Sequence, residues 1–187
     1  GCRDVIMVTL GTGVGGGIIV DGKVVAGFDG AGGEIGHITV NAHEKEQCNC
    51  GQCGCLEQYA SATGIVRVAQ RTLAATDEQT VLRKFTKLSA KNVLDAFKEG
   101  DKVACDVMAQ VGEMLGGTLA MFACVTDPEA IVIGGGVSKA GQPLIDCIQK
   151  YYEKYAFTAC KKTPIILATL GNDAGIYGSA RMVIKEV

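Results

Sequence analysis

Two patterns in the sequence, together with its composition, predict an α/β domain. The first third is a series of short β-rich segments punctuated by glycine, from "VIMVTLG" to "GIIVDGKVVAG". The second half alternates helical and strand-type apolar periodicity, which calls for right-handed crossovers and a mostly parallel arrangement. With 187 residues, 48% hydrophobic and 20% charged, the chain can bury one sizeable core.

The elements follow in order. "VIMVTLG" from Val5 to Gly11 is a short apolar strand ending in glycine, and two more strands flank Asp21-Gly22, a strong hairpin signal. The N-terminal third is therefore an antiparallel meander. A glycine-rich loop from Phe28 to Gly36 leads to a predicted strand, "HITV", from His37 to Val40, and then to a cysteine cluster. Helical spacing runs from Leu56 to Thr76 without an evident break. The more polar stretch from Thr76 to Gly100 reads as short helices, with Ser89 as N-cap of "AKNVLDAFKEG". One long helix is predicted from Asp101, ended by Asp127-Pro128, and its Gly112, Gly116 and Gly117 imply close packing against a neighbour. "AIVIGGG" is a buried strand running into glycines, "PLIDCIQKYYEKYAF" a helix, "PIILATLG" another buried strand and "AGIYGSARMVIKEV" a closing helix. Repeats and linkers are absent, so residues 1–187 form one domain. The chain enters a buried-type strand within five residues of Gly1, which is expected of a domain cut from something longer.

Composition argues against several classes of partner. The formal net charge is -2 with Lys and Arg dispersed, so there is no electrostatic footprint for nucleic acid or an anionic membrane. No apolar run approaches the roughly 20 residues that span a bilayer, and no secretory leader pattern opens the chain. A cytoplasmic protein is the expectation. Of nine cysteines, Cys2, Cys105, Cys124, Cys147 and Cys160 are scattered through core-like segments, which fits reduced thiols in a reducing compartment better than a disulfide framework.

The remaining four cysteines and both histidines fall between Gly33 and Glu57. Cys48, Cys50 and Cys55 make C-x-C-x4-C, with His37 eleven residues upstream of Cys48. Three thiolates and an imidazole form a closed tetrahedral set suited to Zn²⁺. Gly51 and Gly54 supply the unusual dihedrals that a knuckle needs. Cys53 can replace a neighbour in this set, and His43 can compete with His37, although a solvated role suits its polar loop better. A disulfide or a redox-active Cys50/Cys53 pair are the competing readings. A closed set is structural, and it brackets two acids, Glu34 and Glu57, at fixed positions where they can accept hydrogen bonds from a hydroxyl-rich ligand. A carboxylate pair for glycoside hydrolysis also fits that spacing, but no tryptophan is present to form a sugar platform.

Two glycine loops complete the inventory. "LGTGVGGGI" lies between strands and so matches neither the dinucleotide fingerprint nor a Walker A loop, yet its backbone N–H groups and Thr12 hydroxyl can approach phosphates closely. "IVIGGGVSKAG" ends a buried strand in three glycines and makes an open shelf at the carboxyl end of a sheet, where ligands bind.

The run "LGTGVGGGIIVDGKVVAGFDGAGGEIGH", then "CNCGQCGCLEQYASATGIVR", "IVIGGGVSKAG" and "LGNDAGIYGSA", resembles the ROK family (repressors, open reading frames and sugar kinases) over essentially the whole chain, and within it the glucokinases of Gram-positive bacteria. The resemblance implies the actin-like, ribonuclease H-like fold of the family's larger, C-terminal domain and ATP-dependent phosphorylation of glucose to glucose 6-phosphate. It implies that Thr12 and Gly13 lie near the phosphates of ATP with Mg²⁺, that Gly134, Gly135 and Gly136 lie by the adenosine, and that Glu34, His37 and Glu57 bind the hexose. Structural Zn²⁺ is implied on His37, Cys48, Cys50 and Cys55, with His37 serving both ion and sugar, and Cys53 left free. The family's catalytic aspartate and smaller N-terminal domain precede the matching segment, so no catalytic base is expected in this chain, and Asp173 of "GND" is not a substitute. The chain alone is expected to be inactive, and its last helix to leave apolar surface that favours a homodimer. The effector domain of a ROK transcriptional repressor, or a kinase for fructose, mannose or N-acetylmannosamine, are the alternatives.

Overall fold

The computed structural model describes residues 1–183. A five-stranded mixed sheet forms the centre, built from β1 (Val5–Leu10), β2 (Val14–Val20), β3 (Lys23–Val24), β4 (Ala130–Gly134) and β5 (Ile165–Leu167) in the order β3-β2-β1-β4-β5. The first three strands are the expected antiparallel meander. Asp21 and Gly22 both take positive φ, 51° and 74°, as a tight hairpin turn of matching twist requires. β4 and β5 add to β1 in parallel.

Helices α1 (Glu57–Ala60), α2 (Ala62–Ala75), α3 (Ala90–Lys98), α4 (Lys102–Thr126), α5 (Gln142–Tyr155) and α6 (Ala174–Val183) complete the chain. Ser89 caps α3 as expected, and Asn92 completes a reciprocal capping box. α4 runs unbroken to Asp127, whose left-handed φ of 44° ends it before Pro128. Its Val107, Val111, Leu115 and Leu119 are at most 1% exposed and meet Ile6, Val8, Leu10, Ile131 and Ile133 of the sheet in one core.

Four expectations need correction. His37–Val40 is not a sheet strand: Ile35–His37 form a 3-10 turn, and the residues after it pair with the returning cysteine loop. Val40 donates to the Gly54 carbonyl and Leu56 to that of Ile38, so these backbone groups are satisfied locally. The helix predicted over Leu56–Thr76 breaks at Ser61, where extended geometry lets the hydroxyl accept from Gly64 N–H and cap a new helix; a mid-helix serine was a cap signal. β5 is a three-residue edge strand with Ile166 47% exposed, not a buried one. α4 is long and apolar enough by length and composition to cross a membrane, contrary to the sequence reading, but it packs against α2, α3 and α5. The predicted closing helix is present as far as Val183, and residues 184–187 lie outside the described residues.

Of the long-helix glycines, Gly112 and Gly116 pack as closely as inferred and Gly117 does not. A Cβ on Gly116 would sit 2.7 Å from the Ile148 carbonyl oxygen and 2.8 Å from Tyr152 N, so α4 and α5 touch backbone to backbone there. At Gly117 the nearest neighbour is a Tyr155 ring carbon at 3.5 Å, ordinary contact. Gly116→Ala is therefore expected to cost about 1–3 kcal/mol by overpacking, whereas Gly117→Ala gains roughly 0.5–1 kcal/mol of helix propensity. Urea unfolding of the two variants checks the opposite signs.

Candidate active site

The parallel pairing of β1 with β4 sets Thr9 beside Gly134, so the loop Gly11–Gly13 and the glycines after β4 open from one sheet edge. Ligands bind at such carboxyl edges. Two clefts meet there. One, of about 420 Å³, is lined by Gly11, Gly13, Glu34, His37, Glu57 and Gly135. The other, of about 610 Å³, is lined by residues that include Gly11, Thr12, Lys91, Lys98, Gly136 and Lys139. Gly11 belongs to both. Of the residues singled out in sequence, Glu34, His37, Glu57 and Gly13 thus share the first cleft, and Thr12 and Gly136 line the second. Gly134 ends β4 beneath them. Asp173 lines neither.

Backbone proximity places the acids. A Cβ on Gly36 would lie 2.1 Å from the Val14 carbonyl oxygen, so the Glu34–His37 turn rests directly on the start of β2. Glu57 opens α1 immediately after the cysteine loop, and its Oε2 accepts from Val14 N–H at 3.0 Å. Gly13 leaves room for that carboxylate, since a Cβ there would be 2.3 Å from Oε2.

Behind this cleft, one ligand-type atom from each of His37, Cys48, Cys50 and Cys55 lies within 4.8 Å of all the others. His37 Nδ1 is 3.9 Å from Cys48 Sγ, and Cys50 Sγ is 3.5 Å from Cys55 Sγ. A tetrahedron with metal–sulfur bonds of about 2.3 Å has edges of about 3.8 Å, so the donor set fits Zn²⁺. A disulfide, at about 2.05 Å, does not match the Cys50–Cys55 separation. Burial, and then its neighbours Cys50 and Cys48, push the Cys55 thiol up to about 12. A hydrogen bond from Gln52 N–H leads the effects that lower Cys50. His43 is exposed, and Cys53, bridged to Gln47, lies outside the cluster that draws His37, Cys48, Cys50 and Cys55 together. Gly51 and Gly54 take the anticipated positive φ of 90° and 79°.

Sequence reasoning missed what fastens this loop to the core. Gln58 is buried; its Oε1 accepts from Gly54 N–H and Cys55 N–H, and its Nε2 donates to the Glu46 carbonyl. Glu44, with only 5% of its side chain exposed, lies between Arg67 at 2.9 Å and Arg71 at 2.6 Å and accepts from the Tyr59 hydroxyl. The Arg71 guanidinium foremost holds its carboxyl well below the usual carboxylate range. The available signal was Arg67 and Arg71 at i, i+4, one helical face of cations beside the acidic "EKE". Lys91, Asp95 and Lys98, an ion-paired triad that lines the second cleft, were not singled out either, because α3 reads only as a polar surface helix.

The ROK family profile matches residues 1–186. A glucokinase of Halalkalibacterium halodurans is 43% identical over 190 residues, covering 100% of this chain and 58% of that protein. A glucokinase of Thermotoga maritima is 35% identical over 97% of this chain and 58% of that protein. Among solved structures, a ROK family glucokinase from Streptomyces griseus in complex with glucose and AMPPNP superposes with a TM-score of 0.86 at 36% identity, covering 97% of this chain and 61% of that one. The chain thus spans less than two thirds of the length of the relatives it matches.

Glu44 gives a pH test. Its folded pKa is depressed, so its stabilisation is fully present above the unfolded carboxylate value of about 4.3 and is lost progressively as pH falls from there through the folded value. Glu44→Gln is expected to cost about 2 kcal/mol at pH 7, discounted for the half-exposed Arg71, and somewhat less at pH 3, where the wild-type carboxylate is still ionised in the folded state. Thermal melts at both pH values read the difference.

Proposed function

The chain belongs to the ROK family and has its actin-like α/β fold, and we propose that it is the larger domain of a cytoplasmic ATP-dependent hexose kinase that converts glucose to glucose 6-phosphate. The observation that carries this reading is the convergence of Glu34, His37 and Glu57 with the Gly11–Gly13 backbone in one cleft. Two carboxylates and an imidazole nitrogen accept from, or donate to, several hydroxyls of a hexose at once, and that spacing suits a sugar better than a flat or apolar ligand. The second cleft supports the nucleotide half. Glycine backbone, the Thr12 hydroxyl and Lys139 line it, a combination that suits the phosphates of ATP with Mg²⁺, while Lys91 and Lys98 in the same cleft are ion-paired with Asp95 at 2.6 and 2.8 Å.

Phosphoryl transfer needs little covalent chemistry from the protein beyond positioning and neutralising charge. In this reading Glu34 and Glu57 fix the sugar ring, His37 turns Nδ1 to the cysteines and its other ring nitrogen to a sugar hydroxyl, and the loop amides hold the phosphate chain. Zn²⁺ on His37, Cys48, Cys50 and Cys55, a closed set, supplies structural fixation and no open position for reaction. We assign the base that takes the hydroxyl proton to a further domain outside this chain, because Glu34 and Glu57 serve binding and Asp173 lines neither cleft. Cys53 stays a free thiol, and the complete protein is read as a homodimer.

The complete protein, assayed with MgATP on a hexose panel, is expected to prefer glucose over mannose, fructose and N-acetylmannosamine, while the 187-residue chain alone gives no turnover. Tenfold preference for another hexose reassigns the substrate. Sugar binding without any phosphorylation favours the repressor reading. Glu57→Gln, which removes charge-assisted bonds of roughly 1.5–3 kcal/mol, is expected to lower kcat/KM for the hexose about 10- to 100-fold.

A further inference from the structure

The loop between β1 and β2 is tied at three successive points to the corner where α1 meets α2. Ala62 N–H donates to the Gly11 carbonyl at 2.8 Å, and the Thr63 hydroxyl donates to the Thr12 carbonyl at 3.0 Å. Val14 N–H donates to Glu57 Oε2 at 3.0 Å. The same corner is closed on itself, since the Ser61 hydroxyl donates to the Glu57 carbonyl at 2.6 Å and accepts from Gly64 N–H at 2.9 Å. The residues so joined line different clefts: Thr12 and Ala62 belong to the one with the lysines, Gly13 and Glu57 to the one with the acids.

Peptide planarity gives the Thr63 bond its leverage. A trans peptide points its carbonyl and N–H in opposite directions, so holding the Thr12 oxygen toward Thr63 aims the Gly13 N–H away from it. Gly13 has no side chain to enforce that orientation, and the three atoms nearest to a Cβ built there all belong to the Glu57 carboxylate. The backbone amides of this loop and the Glu57 carboxylate are therefore ordered together.

Resting on the kinase reading above, we infer that Thr63 is a positioning residue through which nucleotide and sugar binding are coupled. An anion that fastens the loop amides also fixes Val14 N–H, and with it the Glu57 carboxylate that receives the sugar. A hexose that fixes Glu57 prepays the ordering of the loop. The coupling is positive and reciprocal. Thr63 touches neither ligand in this scheme; it is exposed at the start of α2, so Thr63→Val keeps shape and branching and deletes one hydroxyl.

The test is calorimetric titration of glucose into the complete protein, with and without a non-hydrolysable ATP analogue and Mg²⁺. The wild type is expected to bind glucose at least about fivefold more tightly with the analogue present. Thr63→Val is expected to leave the glucose Kd without analogue within about twofold and to bring the enhancement below about twofold, with Thr63→Ser restoring it. Undiminished enhancement in Thr63→Val, or none in the wild type, overturns the inference while leaving the kinase reading intact. Failure of both ligands to bind overturns the kinase reading and the inference with it.

Discussion

The wall of the cleft that carries Glu57 depends on four side chains drawn together. His37, Cys48, Cys50 and Cys55 place their ligand atoms within 4.8 Å of one another, next to Leu56, Tyr59 and Ala60, which seat α1 in the core. Between Asn41 and Gly54 the chain is "NAHEKEQCNCGQCG", which has no side chain able to anchor it in a hydrophobic core. Coordination by one ion, in the reading proposed here, replaces that missing core. The buried Gln58 and the Glu44, Arg67 and Arg71 ion pairs add a second fastening to the loop. Both matter to Glu57 because it follows Cys55 by two residues, too short a tether for one to move without the other.

The sheet contributes the second constraint. Parallel addition of β4 to β1 puts two glycine turns side by side at one edge, and the antiparallel return of β2 sends the chain back across that edge to seat the Glu34–His37 turn. Two clefts that share Gly11 follow from that topology. Glycines at Gly13, Gly16 and Gly36 are needed where backbone or carboxylate comes close to another segment, so the glycine-rich look of the N-terminal third reflects contact as much as turn geometry.

Much of this was legible in the sequence. The hairpin at Asp21-Gly22, the long helix ended by Asp127-Pro128, the Ser89 cap and the close packing at Gly116 are each local signals with one strong physical reading, and each is present. The cluster of His37, Cys48, Cys50 and Cys55 was legible from its spacing and the family resemblance, and the fold draws those four side chains together with Cys53 outside. Other features were not legible. "HITV" has strand composition, but its partner is the cysteine loop, a pairing visible only once the loop is closed. Ser61 sits inside an unbroken helical periodicity, and only its bonds to Glu57 and Gly64 reveal the cap. The Glu44 clasp joins residues more than twenty positions apart, and long-range ion pairs leave almost no trace in a single sequence.

The most direct measurement of the central claim is X-ray absorption at the zinc edge on the purified, folded protein. The account predicts one zinc per chain with three sulfur scatterers at about 2.3 Å and one nitrogen at about 2.0 Å. A shell of four sulfurs, oxygen ligands in place of sulfur, or folded protein that carries no zinc would contradict it.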